Sequence, residues 1–131
     1  MKKQIVPAIF LLVIAVIIAV GSRTFLSPCV HEDGSTGTCH WAGEALLGLG
    51  CVLLVQAVLA LCIRRTRSGA YLCILPVCVM GILTPGMLID LCHMSTMRCR
   101  AVMQPAMIIL FSAAFLISLI GLLLNTRNKD Q

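Results

Sequence analysis

The sequence predicts an all-α integral membrane protein, a four-helix bundle made of two helical hairpins with both termini in the cytoplasm. Three observations carry that prediction. Of 131 residues, 60% are hydrophobic and 11% are charged, with a mean hydropathy of +1.03. A soluble domain carries about 25% charged residues, so this chain has too few to cover a surface that faces water. The apolar residues fall into four long runs, and most basic residues lie at one set of their ends. A chain of this length is expected to form a single domain.

The runs are 5–26, 41–63, 70–91 and 101–124. Each meets the roughly 20 residues that an α-helix needs to cross a hydrocarbon core about 30 Å thick. In the first, twelve Leu, Ile, Phe or Val residues stand between Ile5 and Val20, each favouring insertion by about 0.3–0.6 kcal/mol. A signal peptide is the competing reading, with Lys2-Lys3 ahead of the run and Ala19-Val20-Gly21 as a cleavage-like site. The run exceeds the usual signal core of about 7–15 residues, which favours an uncleaved helix. A lipoprotein reading through Leu26-Ser27-Pro28-Cys29 is weaker, because Pro28 stands where a small residue should precede the cysteine.

In the second run, Trp41 is placed to anchor at the membrane interface, and Gly48 and Gly50 permit close helix contact. Gln56 is expected to bond to a neighbouring helix. The third run contains Pro76, Gly81, Pro85 and Gly86, which should bend it and free backbone carbonyls. Pro105 lies near the start of the fourth, where a missing N–H costs little.

Basic residues set the direction. Lys2, Lys3, Arg64, Arg65, Arg67, Arg127 and Lys129 share one side, and Arg23, Arg98 and Arg100 the other. Under the positive-inside rule the richer side is cytoplasmic. Outer loops then fall at 27–40 and 92–100, with an inner turn at 64–69.

The outer loops hold the reactive residue types. The first runs from Cys29 through His31 to Cys39, His40 and Trp41; the second carries Cys92, His93, Met94, Met97 and Cys99. Each has two cysteines and a Cys-His pair, a weak internal repeat. Oxidised cysteine pairs persist outside the cytoplasm, so Cys29, Cys39, Cys92 and Cys99 are disulfide candidates with three pairings open. Metal binding is the sharper alternative. Cys92, His93, Met94, Met97 and Cys99, with His31, Cys39 and His40, offer soft or borderline ligands suited to copper, zinc or haem iron. Their spacing matches no established zinc module. Thiol oxidoreduction is a third reading. Arg98 and Arg100 flank Cys99 and would lower its pKa, but the Cys-x-x-Cys pair usual for exchange is missing.

Glu44 and Asp90 stand near the outer boundary, where a lone carboxylate in hydrocarbon is costly. Arg23, Arg98, Arg100 and His40 are their candidate partners. Cys51, Cys62, Cys73 and Cys78 lie on the middle two runs and read as small buried hydrophobes.

Phosphate-loop, zinc-protease, nucleophile-elbow and dinucleotide fingerprints are absent from the sequence, so no catalytic residue is assigned. The basic excess sits in short clusters between apolar runs and aromatics are 5% of the chain, a pattern that fits topology signals better than nucleic-acid binding.

Pro28-Cys29 with Cys39-His40-Trp41, and Cys92 with Met97-Arg98-Cys99-Arg100, resemble a bacterial family known as domain of unknown function 4418. The likeness covers nearly the whole chain, including the short basic inner turn. It implies a small bacterial inner-membrane protein. Members are expected beside ABC-type export permeases and membrane components of iron-handling systems, which implies an accessory subunit of a larger membrane complex. The family brings no catalytic residues to carry over.

Overall fold

The computed structural model describes residues 2–24, 38–89 and 99–128. Within them the chain is helical: α1 spans Lys2–Gly21, α2 Thr38–Cys62, α3 Arg67–Leu83 and α4 Gln104–Arg127, and a π-helical turn at Cys99–Met103 leads into α4. The extended pairing among described residues is one isolated bridge, Pro85 with Ile89. α1 packs on α2, α2 on α3, α3 on α4, and α4 returns to α1.

Each helix buries one stripe and turns apolar side chains outward as well. Leu11 and Ile18 of α1, Leu46 and Leu53 of α2, Ile74 of α3 and Phe111 of α4 are buried in the core. Val13, Val55, Leu72 and Leu116 on the same helices are exposed. Two stretches, His40–Cys62 and Ala101–Arg127, are long and apolar enough to cross a membrane, with mean hydropathies of 2.5 and 2.8. Only 28% of the residues in the most apolar window of each are buried inside the chain, whereas the core helix of a soluble protein would be mostly buried. α1 and α3 contribute shorter apolar stretches, Ile5–Gly21 and Arg67–Leu83.

Close helix approach depends on missing side chains. A Cβ on Gly50 would stand 2.8 Å from Ile18 Cγ2, and one on Gly121 would stand 2.8 Å from Tyr71 Cζ. At Gly81 a Cβ would meet the Phe111 ring. Where apolar burial brings little gain over lipid, such close van der Waals contact is what holds helices together.

The third helix departs from the reading of its run. The apolar run extends to residue 91, but α3 begins at Arg67 and stops at Leu83. Pro85 cannot donate the next helical bond, and Gly86 takes a φ of +101°, a left-handed value that favours glycine. The chain turns back there, with Leu88 N–H bonding to Leu83 O at 3.1 Å and Ile89 N–H to Thr84 O at 3.2 Å. At 1.5 Å per residue, the 17 residues of α3 span about 25 Å.

Candidate functional site

At one end of the helices, α2 and α3 are joined by a short turn at 63–66. Arg67 opens α3 and is 3% exposed, donating from Nε to Ala60 O at 2.7 Å. The last carbonyls of a helix lack partners within it, so Arg67 closes one of them with a charge that suits the negative end of α2. One turn later, Tyr71 is fully buried and its carbonyl accepts from Ser118 Oγ of α4 at 2.8 Å. Asn125 of α4 donates to Ser68 Oγ. These bonds bind α3 to its neighbours through backbone and small polar groups. The sequence grouped Arg67 with the basic residues that set topology; in the structure it is buried, because an arginine at the first position of α3 reaches back to α2.

Two buried polar atoms lack a hydrogen-bond partner among the described residues, Gln56 Oε1 and Tyr71 Oη. The expectation that Gln56 bonds to a neighbouring helix is therefore corrected for its carbonyl end. Gln56 stands at the edge of the buried stripe of α2, beside a shallow groove of about 430 Å³ that it lines with Cys51, Val52, Val55 and Leu59. Its neighbours there offer alkyl groups and one thiol.

At the other end, Arg23 Nη2 lies 3.2 Å from Glu44 Oε1, joining the turn after α1 to the start of α2. Both side chains are substantially exposed, at 62% and 41%, so the pair positions the α1–α2 junction more than it stabilises it. His40 meets Trp41 edge-on, with ring centroids 6.2 Å apart. Trp41 itself is exposed. Gln104 of α4 donates to Pro85 O at 3.4 Å, linking the turn after α3 to the start of α4.

Of the residues singled out in the outer loops, Cys29, His31, Asp90, Cys92, His93, Met94, Met97 and Arg98 lie outside the described residues. Cys39 falls in the first turn of α2, and Cys99 and Arg100 fall in the π-helical turn. Among the described residues, no group of three or more His, Cys, Asp or Glu is arranged to hold a metal ion. Cys51, Cys62, Cys73 and Cys78 are free thiols. Cys78 is buried as expected of a small hydrophobe, whereas Cys51, Cys62 and Cys73 face outward. Neither the Arg67 cap nor the Tyr71–Gly121 contact has a signature in the residue pattern, since both depend on partners from other helices.

No curated protein and no solved structure matches the chain. The family model described as Domain of unknown function (DUF4418) matches residues 11–124, and the chain belongs to that family.

Proposed function

We infer that the chain is a multi-pass protein of the bacterial inner membrane, with four spans, both termini in the cytoplasm and the two cysteine-bearing tips outside. In that setting it acts as a non-enzymatic accessory subunit of a larger membrane complex of the ABC-type transport or metal- and iron-acquisition kind. Disulfide-stapled outer tips dock the partner, and outward helix faces pack against its spans.

The observation that carries this reading is how the polar groups between the described helices are used. Arg67, Ser118 and Asn125 are committed to Ala60, Tyr71 and Ser68, bonds that fix helix positions and leave a scaffold. The outward faces meanwhile present Val, Ile, Leu and Phe, which suits lipid or other membrane helices. The basic residues at 64, 65, 67 and 127 support the proposed direction. The resemblance supplies the kind of complex.

Extraction from native membranes in a mild detergent, followed by mass determination of the particle, tests the proposal. The expected result is co-purification with a larger membrane assembly. Recovery solely as a free chain would contradict it.

A further inference from the structure

We propose that the groove between the start of α1 and the end of α4 holds one acyl chain of an anionic phospholipid, with the basic positions Lys3 and Arg127 recognising its phosphate. The inference rests on the membrane reading above and adds a bound lipid to it.

The groove is built from two helices that pack against each other. Buried Pro7 and half-buried Ile117 form its floor, and Val6, Phe10, Ile120 and Leu124 form its walls. Its volume is about 220 Å³. An apolar space of about 150 Å³ already takes a benzene-sized molecule, so a length of one hydrocarbon chain fits. A helix, about 10–12 Å across with its side chains, does not. From Ile117 to Leu124 the groove follows α4 for about 10 Å.

Apolar shape alone names no occupant. Charge at the end of the groove does. At 3.6 residues per turn, position 3 falls between Val6 and Pro7 around α1, one turn nearer the helix end. Position 127 falls within about 20° of Ile120 around α4, one turn beyond Leu124. Both helix faces that line the groove therefore continue into a basic position. No acidic residue stands in the first turn of α1 or at 117–128 of α4. The Arg127 side chain is exposed and forms no hydrogen bond or ion pair with the described residues. Arg23 and Arg67, by contrast, are committed to Glu44 and to Ala60 O.

Two further grooves lack this arrangement. One runs along α2 from Cys51 to Leu59, with no basic residue within a turn of either end. The other follows α1 from Val16 to Thr24, where Arg23 is already paired. An anionic phospholipid carries its phosphate just beyond its hydrocarbon, in the order that the α1–α4 groove presents. Basic positions at the cytoplasmic end of a cleft between membrane helices are suited to such headgroups.

The test is fluorescence quenching in the full-length chain, reconstituted into phosphatidylcholine vesicles. Trp41 is the single tryptophan, so W41F clears the background and F10W sets a reporter in the groove wall. Phosphatidylglycerol or phosphatidylcholine with brominated acyl chains is included at equal mole fraction in both leaflets, so the direction of insertion does not matter. Phosphatidylglycerol should associate at F10W about 25-fold more strongly, and K3Q and R127Q should each lower that preference about fivefold. R65Q, which removes a cation elsewhere at the same end, should change it less than about twofold. V55W, on the α2 groove, should be quenched alike by the two lipids. Equal quenching of F10W by both lipids, a preference that K3Q and R127Q leave intact, or the same preference at V55W would overturn the site. So would an F10W that neither lipid quenches while V55W responds, since protein would then fill the groove. Failure of both reporters to respond, in chain that alkali releases from the vesicles, would instead sink the membrane reading, and the lipid site with it.

Discussion

The Arg67 guanidinium donates from Nε to the carbonyl oxygen of Ala60 at 2.7 Å, across the turn that joins α2 to α3. A buried arginine bonded to a helix end does more than add to a count of basic residues. Arg67→Met keeps the bulk of the side chain and removes the donor. It should cost about 1.5–3 kcal/mol, the range for hydrogen bonds involving a charged group. The loss should appear as a lower thermal midpoint in mild detergent. Arg65→Met, at an exposed position of the same turn, should leave the midpoint nearly unchanged.

Gly81 and Phe111 fix the approach of α3 to α4, because any Cβ at 81 meets the ring. Gly81→Val should destabilise by about 1–3 kcal/mol through overpacking. Phe111→Ala should relieve much of that penalty, so the double variant should be more stable than the sum of its single losses predicts. Strict additivity in a double-mutant cycle would show that the two residues do not meet.

Tyr71 gives a prediction of opposite sign. Its ring lies against Gly121 while its buried hydroxyl has no partner among the described residues. Tyr71→Phe keeps the ring and removes an unsatisfied polar group, which should leave stability unchanged or raised. A loss above about 1 kcal/mol in equilibrium unfolding would mean that the hydroxyl is bonded.

The eight cysteines should divide by location. With the chain unfolded but unreduced, alkylation should modify Cys51, Cys62, Cys73 and Cys78, and reduction should release Cys29, Cys39, Cys92 and Cys99. Intact mass spectrometry reads both states. Eight modified cysteines before reduction would remove the disulfide-stapled tips from the account.

The helical class and the short turn between α2 and α3 were legible because long apolar runs broken by basic clusters admit few alternatives. The end of α3 was less so, since hydropathy continues through Ile82, Leu83, Leu88 and Ile89 while Pro85 and the left-handed Gly86 turn the backbone. Gly48 and Gly50 look alike in sequence, two residues apart. Only packing shows that Gly50 meets Ile18 and Gly48 faces open space. Arg67 was hidden because charge patterning counts cations without saying which one folds inward. Gln56 was expected to bond to a neighbouring helix, and its unpartnered carbonyl oxygen emerges only once the helices are packed. The π-helical turn before Pro105 likewise had no signature beyond the proline.

Membrane topology is the measurement on which the rest depends. Variants retaining one reactive cysteine, at Cys39, at Cys99 or introduced as Arg65→Cys, are exposed to a membrane-impermeant thiol reagent in intact cells after gentle reduction. The account predicts that 39 and 99 react from outside and that 65 reacts only once the membrane is breached. Reaction of Cys39 and Cys99 from opposite sides of the bilayer would contradict it.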